Sequence, residues 1–252
     1  MTAWTQLFDL TGRTALVTGS SRGIGKAIAR ILAQAGAKVF VHGSRPSEAL
    51  DATLDEFRAE GLDVVGCYAN ISDTAANQRL VAEVGQIDIL VLNASLQYKT
   101  KWSEIDAEEF AAQVNTNLRS SLELIQGFAQ AMLEQQWGRI VFIGSVNQDS
   151  QHPDMAVYAA TKSAALNLCE NLARQFARSQ VTVNNLAPGV IDTDRNVEAL
   201  SNEVYRQKVL DKIPSGTIGT PEDCAGLALT LCSEAGRYIT GQNIFVDGGM
   251  TL

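Results

Sequence analysis

Seven short apolar runs punctuate the chain, at 14–18, 39–42, 64–68, 87–92, 140–143, 181–186 and 244–246, with stretches of helical spacing between them. Runs this short and this rich in Val, Ile and Leu read as strands buried on both faces. Between the first two, Ile24, Ala27, Ile28, Ile31, Leu32 and Ala35 fall on one helical stripe that Gly36 closes. Further helices are expected after Pro46, Ser72, Asp106, Pro153 and Pro221. Pro221-Glu222-Asp223 puts a proline and two carboxylates into a first turn, where the missing N–H is harmless and negative charge suits the dipole. Strands alternating with helices predict the α/β class: one doubly wound domain, its seven-stranded parallel sheet covered by helices on both faces.

No linker, repeat or low-complexity tract interrupts the alternation, so residues 1–252 are expected to form a single domain. The longest irregular stretch, 187–215, reads as a substrate-covering loop with a short helix over 197–210.

Composition narrows the function classes. With 46% hydrophobic and 19% charged residues the chain has ample core and is not disordered. Twenty basic against 28 acidic residues give a net charge of −8, and no Lys/Arg run appears, which argues against nucleic acid as a partner. Four cysteines without C-x-x-C spacing and only two histidines leave no metal site to expect. No leader pattern and no apolar run of membrane length is present, so a cytoplasmic protein with reduced thiols is expected.

Directly after the first strand, Thr18-Gly19-Ser20-Ser21-Arg22-Gly23-Ile24-Gly25 runs into the amphipathic helix. Glycines there remove Cβ atoms where a tight turn brings backbone N–H groups to a pyrophosphate at a helix N-terminus, as in Rossmann-type domains. Its spacing is G-x-x-x-G-x-G. Together with Asn93-Ala94, Asn117, Ser145, Tyr158-x-x-x-Lys162 and Pro188-Gly189, in that order, it makes the chain resemble the short-chain dehydrogenase/reductase family over essentially its whole length.

The end of the second strand, Val41-His42-Gly43-Ser44-Arg45, bears on the cofactor. An acidic residue there bonds a ribose 2′-hydroxyl and repels a 2′-phosphate. Here Gly43 stands near where NAD-dependent members of the family carry aspartate. Arg22 and Arg45 are placed to pair with a 2′-phosphate, and Ser21 and Ser44 to donate to it. NADP(H) is therefore the expected cofactor, with NAD(H) still open. The resemblance adds Asn70 and Ile71 at the adenine, with Asn70 where aspartate is more usual, and Asn93 and Ala94 beside the nicotinamide ribose. It also implies that Pro188, Gly189, Ile191 and Thr193 hold the carboxamide, Ile191 through its backbone and Thr193 through its hydroxyl.

Tyr158 and Lys162 lie one turn apart on a stretch, 158–177, that reads as helix, so they share a face. A phenol ionises near pH 10, and as an acid–base group near neutrality it needs positive charge beside it. In isolation the pair reads as a core edge and a solvated amine; the family's ordered motifs reverse that. Ser145, at the end of the fifth strand, emerges at the carboxyl edge of the sheet, where open α/β sheets bind ligands. The resemblance implies that Tyr158 is the general acid/base and that Ser145 holds the substrate oxygen. It implies further that Lys162 binds the ribose and lowers the phenol pKa, and that Asn117, within the helical stretch 110–132, belongs to a proton relay ending at Lys162. The implied reaction is hydride exchange between NADP(H) and a carbonyl or secondary alcohol.

Ser95, which replaces the family's usual glycine after Asn93-Ala94, together with Gln97, Asn147, Gln148, His152, Asp194 and Arg195, makes the expected substrate surroundings polar. That favours a small hydroxylated or charged substrate, a keto-sugar, sugar acid or 3-oxoacyl compound. The resemblance also implies a homo-oligomer, dimer or tetramer, through the helices carrying Asn117 and Tyr158 and through the C-terminal strand. Two other readings remain at this point: a catalytically silent NADP(H)-sensing protein on the same fold, and an epimerase or dehydratase of nucleotide-activated sugars, for which the chain leaves little room.

Overall fold

The computed structural model describes residues 5–150 and 152–252, apart from the side chains of 198 and 199. Residues 1–4, on which part of the expectation about a leader rests, lie outside that description. All seven expected strands are present: β1 Thr14–Val17, β2 Lys38–Gly43, β3 Val64–Tyr68, β4 Ile89–Leu92, β5 Gly138–Ile143, β6 Val181–Pro188 and β7 Asn243–Val246. They form one sheet in the order β3-β2-β1-β4-β5-β6-β7, and every neighbouring pair is parallel. The chain winds outward from β1 to β3 and then returns to lay β4 beside β1. The carboxyl ends of β1 and β4 therefore flank the switch point, the crevice where sheets of this kind take ligands.

Side chains alternate between two apolar layers, as the period of a strand requires. Ala15, Val17, Val39, Val41, Ile89, Val91, Val141 and Ile143 face one core, which is filled by the helices α1 (Gly23–Gln34), α2 (Glu48–Ala59) and α9 (Pro221–Cys232). Leu16, Phe40, Leu90, Leu92, Ile140 and Phe142 face the other. That core belongs to α3 (Thr74–Val84), α5 (Ser120–Glu134) and α6 (Ala156–Phe176).

Helix starts follow local chemistry. Ser47, Asp73 and Asp106 cap α2, α3 and α4 (Ala107–Val114) by accepting from the N–H groups of Leu50, Ala76 and Glu109. Thr220 and Asp223 form a reciprocal capping box around Pro221 at the start of α9. All four cysteines are buried and free, and burial pushes their thiols up to about 12, which makes them packing groups. Among the described residues no helix is long and apolar enough to cross a membrane.

Two expectations need correcting. The segment 187–215 is not a loop with one helix: β6 extends to Pro188, and two helices follow, α7 (Asp194–Ser201) and α8 (Glu203–Leu210). Asn202 separates them because its extended backbone leaves α7 while its side chain caps α8 through Tyr205 N–H at 3.0 Å. The helical stretch 110–132 starts earlier, at Ala107, and is not uniformly α: a π turn over Asn115–Arg119 joins α4 to α5.

Candidate active site

The glycine turn and the β4 loop meet at the switch point. Gly19 has φ +64°, and a Cβ there would lie 2.9 Å from the Ala94 Cα; a Cβ on Gly25 would lie 2.4 Å from Asn93 Nδ2. Only glycine permits that approach, and it leaves bare backbone at the N-terminus of α1, the cradle a pyrophosphate needs. Asn93 stands behind the cradle: its Nδ2 donates to the carbonyls of Thr18 and Gly19, both at 2.9 Å, while Thr18 Oγ1 accepts from the N–H groups of Asn93 and Ala94.

His42 adds a support that sequence reasoning missed. Gly19 N–H donates to His42 Nδ1 at 3.1 Å, and His42 Nε2 lies 3.1 Å from Ala69 O. Ser20 Oγ ties in the same strand end by accepting from His42 N–H and donating to Val17 O. Burial brings the imidazole down to about 4, so near neutrality it is uncharged, accepting at Nδ1 and donating at Nε2. The available signal was a histidine inside an apolar strand.

The other expected cofactor residues line the same sheet edge. Ser21 is half-buried, and its carbonyl accepts from Thr53 Oγ1 at 2.8 Å. Arg22, exposed ahead of α1, lies 3.8 Å from Asp194. Ser44 and Arg45 are exposed just past buried Gly43, and among the described residues no carboxylate lies within ion-pair distance of Arg45. Asn70 Oδ1 accepts from Ser72 N–H and Oγ within its own turn, and Ile71 is buried, its carbonyl taken by Asn77 Nδ2. Gly189 passes so close to β7 that a Cβ would lie 2.8 Å from the Asp247 Cα. Ile191 is buried with its carbonyl taken by Asn196, and Thr193 packs its methyl against Gly23 at the start of α7.

Across the edge, Ser145 follows β5 and opens a single 3-10 turn. Its Oγ accepts from Asn147 N–H at 3.2 Å, and Gln148 Oε1 accepts from Ser145 N–H at 3.4 Å. Gln148 is held in turn by Asn243 and by fully buried Asn185. Tyr158, in the first turn of α6, is buried, and the side chains of Ser145, Ser95 and Arg195 are near enough to act on its hydroxyl. Lys162 Nζ donates to Ile143 O at 2.6 Å and lies 5.7 Å from the centre of the Tyr158 ring.

Electrostatics here is a contest between burial and one cation. Burial pushes the Tyr158 phenol up, while the charge of Arg195 and hydrogen bonds from Ser145, Arg195 and Ser95 pull it back. Burial, then Arg195, brings the Lys162 ammonium down to about 7. Arg195, in the first turn of α7, reaches across to Ser95, its Nη2 donating to Ser95 O at 3.0 Å and to Ser95 Oγ at 3.2 Å. The sequence shows a polar Asp194-Arg195 pair; only the packing of α7 brings Arg195 to the phenol.

Asn117 sits in the π turn. Its amide exchanges hydrogen bonds with Leu96, Oδ1 accepting from Leu96 N–H and Nδ2 donating to Leu96 O, each at 2.8 Å. Nδ2 also reaches Thr161 Oγ1 at 3.1 Å, tying the turn to the helix of Tyr158 and Lys162. Among the described residues the side-chain hydrogen bonds of His152 and Asn147 are local: His152 Nδ1 accepts from Asp154 N–H, and Asn147 Nδ2 donates to Met155 Sδ.

A bare glycine cradle at the switch point, facing a buried Ser, Tyr and Lys group on the same sheet edge, is the arrangement of a dinucleotide-dependent oxidoreductase domain. A family model described as "Enoyl-(Acyl carrier protein) reductase" matches residues 19–251. The 3-oxoacyl-(acyl-carrier-protein) reductase of Rickettsia conorii is 35% identical over 246 residues, covering 98% of this chain and 100% of the relative. A crystal structure of the 3-oxoacyl (acyl-carrier-protein) reductase of Agrobacterium tumefaciens C58 with NADP bound superposes at TM-score 0.94 with 40% identity, covering 98% of each chain. The gluconate 5-dehydrogenase of Burkholderia cenocepacia J2315, crystallised with NADP and tartrate, superposes at 0.92 with 32% identity, again over 98% of each. The chain belongs to the short-chain dehydrogenase/reductase family.

Proposed function

We propose that the chain is an NADP(H)-dependent oxidoreductase interconverting the carbonyl and secondary alcohol of a small polar substrate. The observation that carries this reading is the convergence of the buried Ser145 and Tyr158 hydroxyls, with Lys162 one turn away, opposite a glycine cradle that a Cβ would fill. The relatives bear enzyme names, so the catalytically silent alternative finds no support.

The cofactor is held by the turn from Gly19 through Ser21, Gly23, Ile24 and Gly25, by Asn70, Ile71 and Ala94, and by 188–193, with Arg22, Arg45 and Ser44 on a 2′-phosphate. Asn93 acts from behind the turn. Both structural relatives named above contain NADP, and Gly43 offers no carboxylate to repel a 2′-phosphate. When bound, NADP(H) supplies or accepts the hydride at the carbonyl carbon. Ser145 Oγ, already accepting from Asn147 N–H, turns its own proton to the substrate oxygen and holds it in line with Tyr158. Tyr158 gives that oxygen its proton in reduction and takes it back in oxidation. Lys162, anchored on Ile143 O, keeps a cation beside the phenol, and Asn117 locks the β4 loop against α6.

The test is turnover of NADPH and NADH on ketones, keto-sugars, keto-acids and 3-oxoacyl thioesters, with Tyr158→Phe alongside. Wild type is expected to prefer NADPH, and the variant to bind NADPH while losing about a hundredfold or more in kcat. A variant as active as wild type would overturn the assignment of Tyr158.

The chain works as one catalytic domain, 187–215 covering the substrate, and as a cytoplasmic homo-oligomer. Exposed Phe110 and Leu122 on α4 and α5, and Tyr238 and Leu252 flanking β7, support the assembly. Light scattering at micromolar concentration is expected to give at least a dimer; a monomer mass would overturn it.

A further inference from the structure

Arg195 has an unusual setting for a cation. Its guanidinium is spent on neutral groups of Ser95, which follows β4 at the switch-point edge of the sheet: Oγ at 3.3 Å and 3.2 Å and O at 3.0 Å. Among the described residues no carboxylate lies within ion-pair distance of it, and the neighbouring Asp194 is turned toward Arg22 at 3.8 Å. Its charge bears on both Tyr158 and Lys162, so it stands at the mouth of the reacting centre and not on a remote surface. A guanidinium is built to grip a carboxylate with two parallel N–H donors, and hydroxyl and carbonyl oxygens satisfy it less well.

We propose that Arg195 is the specificity-determining residue of this site, taking the carboxylate of a small hydroxy- or oxo-acid whose reacting oxygen lies between Ser145 and Tyr158. The inference rests on the reading of Ser145 and Tyr158 given above and narrows its substrate class. Ser95 holds the guanidinium in place until the acid arrives, and then either gives up those donors or shares them. A neutral thioester offers Arg195 nothing to pair with, so the sugar-acid and oxo-acid side of the substrate range is favoured over 3-oxoacyl carriers.

Two measurements separate this proposal from the reading beneath it. In the first, tartrate is titrated into NADPH-loaded protein and followed by cofactor fluorescence, without turnover. Wild type is expected to bind it, Arg195→Met to bind it about tenfold or more weakly, and Arg195→Lys to recover part of the loss. In the second, NADPH-driven reduction of 5-ketogluconate and acetoacetate is compared with that of the neutral ethyl acetoacetate. Arg195→Met is expected to lower kcat on all three substrates alike through the Tyr158 phenol, and in addition to raise KM for the acids, but not for the ester, about tenfold or more. Equal losses on acid and ester, with no such split in KM, would make Arg195 a support for Tyr158 and overturn the proposal. So would a wild type that reduces the ester but neither reduces the acids nor binds tartrate, and the oxidoreductase reading would then survive. Arg195-dependent tartrate binding with no reduction of any of the three would uphold the anion subsite and count against the reaction assigned to it.

Discussion

Gly19 and His42 are joined by a single hydrogen bond, the backbone N–H of the glycine turn donating to the imidazole Nδ1 at 3.1 Å. With Nε2 against Ala69 O, one buried ring connects the ends of β1, β2 and β3. Protonation at Nδ1 would turn that acceptor into a donor facing Gly19 N–H. The geometry of the glycine turn therefore depends on a neutral histidine.

The sign of the pH dependence follows. His42 falls from an ordinary 6.5 to about 4 in the folded protein, so between these values the unfolded chain binds the extra proton. The stability this group contributes is complete above pH 6.5 and is lost as pH falls toward 4, by about 3 kcal/mol. Urea denaturation at pH 7, 5.5 and 4.5 checks it. His42→Gln is expected to flatten this part of the profile, and an unchanged slope in the variant would remove His42 as its cause.

Gly25→Ala would place a methyl 2.4 Å from Asn93 Nδ2 and 2.5 Å from Gly19 O. Neither neighbour is the free end of a flexible side chain. A loss of about 1–3 kcal/mol in stability is expected, together with weaker NADPH binding, both readable from thermal melts with and without cofactor.

Asn117→Ala removes the partner of both Leu96 backbone groups and of Thr161. Leaving buried polar groups unpaired costs about 1–3 kcal/mol, and the loosened β4 loop should lower kcat more than it raises KM for NADPH. Thr161→Val cuts the link from Asn117 to α6 together with the bond from Thr161 Oγ1 to Tyr158 O at 2.7 Å, while leaving both Leu96 bonds in place, and a smaller loss of kcat with near-normal stability is the outcome that supports a positioning role.

Lys162 carries a buried ammonium brought down to about 7 from 10.5. Between these values the unfolded chain holds the extra proton, so wild-type stability rises as pH climbs from 7 toward 10.5. Lys162→Met is expected to abolish turnover and to be at least as stable as wild type at pH 7, because replacing a buried charge by an apolar side chain is often neutral or stabilising by about 1–4 kcal/mol. That advantage should shrink with rising pH, and a constant gap from pH 7 to 10 would argue against it.

Arg45→Ala tests cofactor choice. Losing one charge-assisted contact costs about 1.5–3 kcal/mol, or roughly tenfold to a hundredfold in NADPH affinity, while NADH affinity should stay put. Equal losses for both cofactors would place Arg45 outside the 2′-phosphate pocket.

Much of the architecture was legible in the chain. The seven apolar runs, the helices expected after Pro46, Ser72, Asp106, Pro153 and Pro221, and the glycine turn all depend on neighbours within a few residues, so period and local chemistry reveal them. That Tyr158 and Lys162 share a face was legible in the same way, since a helix places residues one turn apart on one side, but their roles came only from the resemblance to the family's ordered motifs. What lay out of reach were relations across the sheet. His42 meets Gly19 only because β2 lies beside β1, and Arg195 meets Ser95 and Tyr158 only because α7 folds back over the mouth of the site. The π turn at Asn117 was equally hidden: α5 packs on the sheet while Asn117 exchanges two hydrogen bonds with Leu96. The sequence by itself determined the seven strands, the main helices and their order, because those follow from local spacing, while the roles expected at the strand ends came from the ordered motifs of the family. The tertiary structure decided which charge faces the phenol and which ring supports the cradle, because those contacts join residues far apart in the chain that only the parallel winding of the sheet brings together.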